Sequence, residues 1–296
     1  MALASMSEIF ERMARNGQEF WEVVLADDMD ERQVSREASM AKMLTTWQAM
    51  QDAADSYTGR KRSVSGLVGG DGMKMRQYTF RGCAMTGGYV SEVIAEALSM
   101  AESNACMCRI VAAPTAGACG VLPAVLLPLC RYEELSQHQL LEALYVASGI
   151  GAVIAYRACI AGASGGCQAE IGTASAMAAG ALVALRGGEG EQIGHAVAMA
   201  LKNLMGLVCD PVAGLVEVPC VKRNVIGAMN AVSAADMALA GVVGHIPADE
   251  VIDAMAEVGN AMSKDLRETG IGGLAGTPTG RAICEIVTMD NGEEED

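Results

Sequence analysis

Four apolar blocks, at about 122–133, 138–161, 173–186 and 191–206, are separated by glycine-rich breaks. They constrain the fold more than any other feature of the chain. Runs of that length suit buried helices, and the alternation of Val, Ile, Thr and aromatic residues that marks strands is scarce. No βαβ repeat can be drawn. Hydrophobic residues make up 51% of the chain but aromatics only 4%, with much of the remainder Ala, Gly and Met. Small residues at that density favour close helix–helix packing, with Met filling irregular gaps. The expectation is an all-α fold: a single, mainly helical domain over 1–296, ending in an acidic tail (291–296) that is disordered.

The flanking segments fit this picture. Residues 5–57 read as two polar helices, the first led by Ser7 and the second over about 31–54. A Gly- and Ser-rich loop follows at 58–75, then a helix near 90–103 and a second loop at 112–120. Helix-capable stretches at 229–242 and 248–266 precede a third glycine-rich loop at 269–280. No linker divides the chain.

Charge and hydropathy exclude several classes. The net charge of −15 and the absence of a basic stripe argue against a nucleic-acid surface. The longest uncharged run, 110–130, contains Pro114, Pro123 and Pro128, which break a spanning helix. The uncharged stretch 143–156 is too short to span. The N-terminus is charged and amphipathic, unlike a signal peptide. Ten cysteines in a chain of this size therefore read as reduced thiols in a cytoplasm rather than a disulfide framework.

The glycine-rich loops are the candidate binding elements, because their backbone N–H groups can cradle an anion such as a carboxylate. Ser65, Thr115 and Thr277 could add side-chain donors. None of the loops matches a P-loop or a dinucleotide fingerprint. Among the cysteines, Cys106 and Cys108 stand too close for a C-x2-C metal knuckle. Cys130, Cys159 and Cys284 read as buried small hydrophobes, and Cys83 and Cys119 are ambiguous, with burial favoured. Cys167, Cys209 and Cys220 differ: they are spaced C-x41-C-x10-C and surrounded by Gly, Pro and polar residues, as if on loops. Three thiolates without a fourth would suit an iron–sulfur cluster with one open iron, although spacing alone leaves a structural reading equally open. His138 and His245 read as surface residues and His195 as core or cap. No G-x-S-x-G elbow supports a serine nucleophile.

With these residues in view, the chain resembles the α subunit of the iron–sulfur-dependent bacterial L-serine dehydratases over about 40–281. The stretches that carry the resemblance are SGLVGGDGMKM, AAPTAGACGV, ASGGCQAEIGTASAMAAGA, LKNLMGLVCDPVAGLVEVPCVKRN, NAVSAADMALAG and LRETGIGGLAGTPTGR. The resemblance implies a catalytic domain in which a [4Fe–4S] cluster is held by Cys167, Cys209 and Cys220, its fourth iron acting as a Lewis acid toward L-serine. It also implies a carboxylate pocket at Ser65, Gly66, Thr115, Ala116 and Gly117, with Lys222 and Arg223 tuning the cluster or pairing with carboxylates.

The family's β module carries a motif of the SSHTxG kind, which has no counterpart here. A separate β subunit completing the site, an oligomeric assembly and a base on the partner chain are therefore expected. The alternative is a base within this chain, which the sequence does not single out. Two other functions fit the same residues: a cluster-dependent L-cysteine desulfidase, and a non-catalytic iron–sulfur sensor or scaffold. A pyridoxal-phosphate dehydratase does not fit, with six lysines and no strand pattern.

Overall fold

A computed structural model describes residues 3–292. These residues form thirteen helices and no strand, as the apolar blocks predict. In chain order the helices are α1 (Met6–Asn16), α2 (Phe20–Arg32), α3 (Arg36–Asp55), α4 (Asp71–Phe80), α5 (Gly87–Ala105), α6 (Val121–Tyr132) and α7 (Gln137–Arg157). They continue with a short α8 (Gly162–Gly165), α9 (Thr173–Leu185), α10 (Gly190–Leu204), α11 (Cys220–Leu239), α12 (Ala248–Ala261) and α13 (Pro278–Gly292). The acidic tail expected to be disordered lies outside the described residues from 293 onward.

Helix α9 is the centre of the packing. Every residue from Thr173 to Val183 is buried, and α7, α10, α11 and α6 all pack on it. A helix buried all round cannot be amphipathic, and small residues let its neighbours come close. Gly227 on α11 is one such contact: a Cβ there would stand 2.8 Å from Ile171 Cγ2 and 2.9 Å from Val121 Cγ2. Helix α7 is longer than its uncharged stretch suggests, because the Ser136–Gln139 capping box starts it six residues earlier. By length and composition it could cross a membrane, yet 67% of its most apolar window is buried against the rest of the chain.

Four expectations need correction. Residues 5–57 form three helices rather than two. Gly17 and Gln33 both adopt the left-handed conformation, ending α1 and α2, and a non-glycine stop such as Gln33 carries no sequence signal. The cap of α1 is Ser5, whose Oγ accepts from Glu8 N at 2.9 Å, while the Ser7 hydroxyl donates to Asp249 at 2.6 Å. Residues 71–75 belong to α4 rather than to a loop. The buried carboxylate of Glu102 on α5 accepts from the N–H groups of Asp71 and Gly72 at 2.8 and 3.3 Å, a cap supplied from another helix. Finally, α11 begins at Cys220, well before the apolar periodicity at 229.

Candidate active site

Cys167 stands between the Gly165–Gly166 turn and a π-helical segment, Gln168–Gly172, that leads into α9. Such segments re-aim side chains within a helix. Gln168 fastens this one. Its N–H donates to Leu207 O (2.9 Å), its Nε2 to Met255 O (3.0 Å), and its Oε1 accepts from Gly206 N (2.8 Å). The bonds to residues 206 and 207 draw in the extended segment that carries Cys209. That segment also pairs with residues 266–268, which lead into the third glycine-rich loop, through Cys209 N to Leu266 O (2.8 Å) and Glu268 N to Cys209 O (2.7 Å). Cys220 opens α11, so it lies at a helix terminus rather than on a loop.

The arrangement brings two of the three thiols together with a residue that sequence reasoning left as mere context. The Sγ atoms of Cys167 and Cys209 and a carboxylate oxygen of Glu170 lie within 4.8 Å of one another. Cys220 stands outside that tight group but close enough to feel the charge of Cys167. All three cysteines are buried and Glu170 is half-buried. Glu170 is positioned by Thr115, whose Oγ1 donates to its Oε1 at 2.8 Å. Only a contact between segments 55 residues apart reveals this.

Arg223 on α11 organises the charge. Its Nη1 donates to Cys167 Sγ (3.3 Å) and Val208 O (2.8 Å), and its Nη2 to the buried Asp210 Oδ1 (2.7 Å). Asp210 in turn accepts from Leu274 N at 2.8 Å and so anchors the third loop. The hydrogen bond with Cys209, followed by the Arg223 cation, pulls the Cys167 thiol below its ordinary range despite burial. Cys209 moves the opposite way, because the shared hydrogen bond and burial keep its proton on. Burial raises Cys220 to about 12. Burial likewise raises the Glu170 carboxyl, against the lowering effect of the Thr115 bond.

The expected pocket residues fall in two places. Thr115 and Gly117 are half-buried beside Glu170 and Ala116 is exposed; Asn224 holds this loop by accepting from Gly120 N (2.9 Å) and donating to Gly117 O (2.8 Å). The Ser65 hydroxyl donates to the buried Glu217, which Ser63 also reaches at 2.7 Å, and Gly66 is exposed at the tip of that loop. The first loop is thus moored three residues before Cys220. Thr277 is a helix cap instead, its Oγ1 accepting from Gly280 N at 3.0 Å. Lys222 pairs with Asp71 at 3.0 Å, tying α11 to α4.

The other cysteines depart from expectation in part. Cys119 is buried, but Cys130 and Cys159 are half-buried and Cys83 and Cys284 exposed. Cys284 lies on α13, and Cys83 just after the turn that follows α4. His138 and His245 are exposed, as read; His195 is half-buried and 3.6 Å from Glu191. His195 lines a separate cavity of about 740 Å³ between α1, α10 and α12, which none of the three site cysteines touches.

A family model described as "Serine dehydratase alpha chain" matches residues 15–275. The probable L-serine dehydratase, alpha chain, of Bacillus subtilis (strain 168) is 46% identical over 262 residues, covering 88% of this chain and 87% of that protein. The L-serine dehydratase, alpha chain, of Peptoniphilus asaccharolyticus is 40% identical over 282 residues, 95% of this chain and 97% of the relative. L-serine dehydratase 2 of Escherichia coli (strain K12) is 45% identical over 181 residues, which are 60% of this chain and 40% of that longer protein.

Proposed function

The chain belongs to the serine dehydratase alpha chain family, and from that premise we propose that it converts L-serine to pyruvate and ammonium with a [4Fe–4S] cluster held by Cys167, Cys209 and Cys220. The observation that carries this reading is the meeting of the Cys167 and Cys209 sulfurs with Glu170, under a guanidinium from the helix that Cys220 begins. The residues fit the group. Thiolates are the soft donors that iron–sulfur clusters take, and a cation at a ligating sulfur offsets its charge. Gly162 also leaves clearance, since a Cβ there would stand 2.9 Å from both Cys209 Sγ and Glu170 Oε2.

When bound, the cluster supplies an iron with an open coordination position, a Lewis acid for the departing hydroxyl. The chain's own groups do the rest. The N–H groups of Thr115, Ala116 and Gly117 hold the substrate carboxylate, and Ser65 and Gly66 close the pocket from the first loop. Thr115 occupies Oε1 of Glu170, and the other oxygen, Oε2, takes the α-proton. Arg223 keeps the Cys167 sulfur anionic. Loss of the proton and of hydroxide leaves an aminoacrylate, which tautomerises and hydrolyses in water to pyruvate and ammonium.

The name "alpha chain" borne by the relatives, and the length of the Escherichia coli protein beyond its matched part, support a separate beta chain that completes the site. The ten cysteines, none of them paired among the described residues, support a cytoplasmic location.

The test is anaerobic reconstitution with iron and sulfide, followed by L-serine turnover with and without a beta chain. Pyruvate formation that disappears in Cys167→Ala, Cys209→Ala and Cys220→Ala supports the cluster reading, and a large loss in Glu170→Gln with iron content retained supports the base. Sulfide release from L-cysteine without turnover of L-serine would replace this function with a desulfidase. A chain that binds iron but turns over neither substrate would leave a sensor or scaffold, and one that takes up no iron would end the proposal.

A further inference from the structure

Two cysteines outside this site share a pocket with a lysine. Cys106 and Cys108 close the C-terminal end of α5, where Cys106 N donates to Glu102 O (2.9 Å) and Cys108 N to Ser103 O (2.8 Å). Met107 between them has φ +57 and an 85% exposed side chain, so the chain folds back on itself at that residue. Both cysteines are half-buried, and both line a cavity of about 370 Å³ together with Lys61 and Tyr57. The ammonium of Lys61 lies 3.4 Å from Cys108 Sγ. The two thiols thus differ in setting: Cys108 is in direct contact with a cation, while Cys106 makes no such contact among the described residues.

Chemistry follows from that asymmetry. A cation beside a sulfur stabilises the thiolate, which is the nucleophile in thiol–disulfide exchange. Residues two apart are separated by at most about 7 Å when extended, and the turn at Met107 brings the pair toward the ~4.4–6.8 Å Cα separation that a disulfide bridges. From this geometry we infer that Cys106 and Cys108 form a reactive dithiol that exchanges with low-molecular-weight disulfides to close an intramolecular bond. Cys108 thiolate attacks one sulfur of the disulfide RSSR, forming a mixed disulfide and releasing RS⁻, which takes up a proton. Cys106 then loses its proton and attacks the Cys108 sulfur, expelling the second RS⁻, which is protonated in turn. The balance is one protein dithiol and one RSSR giving one protein disulfide and two RSH. Burial and the nearby Cys108 hold the Cys106 thiol above its ordinary range, which suits the resolving role.

The experiment treats the full chain, purified anaerobically, with glutathione disulfide, blocks remaining thiols by alkylation and locates modifications by fragmentation mass spectrometry. A Cys106–Cys108 crosslink is expected, lighter than the dithiol by two hydrogens. Cys106→Ser is expected to trap one glutathionyl group on Cys108, whereas Cys108→Ser forms no mixed disulfide at Cys106 at a comparable rate. Lys61→Met, a change at an exposed position, slows modification of Cys108 by about tenfold while leaving exposed Cys83 unaffected. Alkylation of both thiols without a crosslink, equal trapping on either cysteine in the two serine variants, or an unchanged rate in Lys61→Met would each overturn the proposal.

Discussion

Asp210 is buried and Arg223 half-buried, and the pair connects Cys167, the Cys209 segment and the third glycine-rich loop. Removing one partner of a buried pair leaves an uncompensated charge, at about 3–5 kcal/mol. Arg223→Met is therefore expected to lose stability on that scale in urea denaturation, and to lose more than Arg223→Lys, which keeps the charge without the fork. A loss below that of an ordinary surface substitution would mean that Asp210 finds another partner. Of the three cysteines that polar and Gly/Pro surroundings set apart from thiols in apolar periodicity, 167 and 209 meet in the fold and 220 stands outside that group. Glu170 was not legible: a carboxylate acquires a role only from what faces it, here Thr115 from a distant loop and two thiols. Ser65 and Thr115 were read as free donors, and both hydroxyls turn out to be engaged with carboxylates of this chain.

Among the elements, α11 carries Cys220, Lys222, Arg223 and Asn224 on its first turn and a half, and Gly227 sets how closely that turn approaches the π segment. Gly227→Ala forces a methyl against Ile171 and Val121, and overpacking of this kind costs about 1–3 kcal/mol. The expected outcome is a lower melting temperature together with reduced iron retention after reconstitution; unchanged iron with lowered stability would detach the helix position from the site. Helix α4 offers a second case. Glu102 is buried, accepts two N–H groups from its first turn and also takes the Tyr57 hydroxyl. Glu102→Ala removes that cap, worth about 0.5–2 kcal/mol, and should speed hydrogen exchange at the amides of residues 71–74 while α9 stays protected. The sequence revealed most helices through local periodicity but missed α4 and misplaced the start of α11. The first depends on a carboxylate from α5, and the second precedes any apolar repeat.

Over the whole molecule, a net charge of −15 on a chain of 296 residues acts against compactness through self-repulsion. Screening lengths fall from about 30 Å at 0.01 M salt to about 8 Å at 0.15 M. The melting temperature is therefore expected to rise by a few degrees over that range at fixed pH near neutrality; a fall would indicate that attractive pairs such as Glu96 with Arg76 and Arg131 outweigh the repulsion.

Taken by itself, the sequence determined the helical class, the central place of small-residue blocks and the three cysteines set apart from the others, because each of these is written in neighbouring residues within a few turns. Tertiary structure alone decided which thiols meet, which carboxylate stands among them, and that Arg223 bridges both sides of Cys209. Most of those relations join positions 13 to 56 residues apart, and they depend on how closely α9 lets its neighbours pack and at what point the π segment turns Glu170 toward the sulfurs. Local pattern carries no record of either.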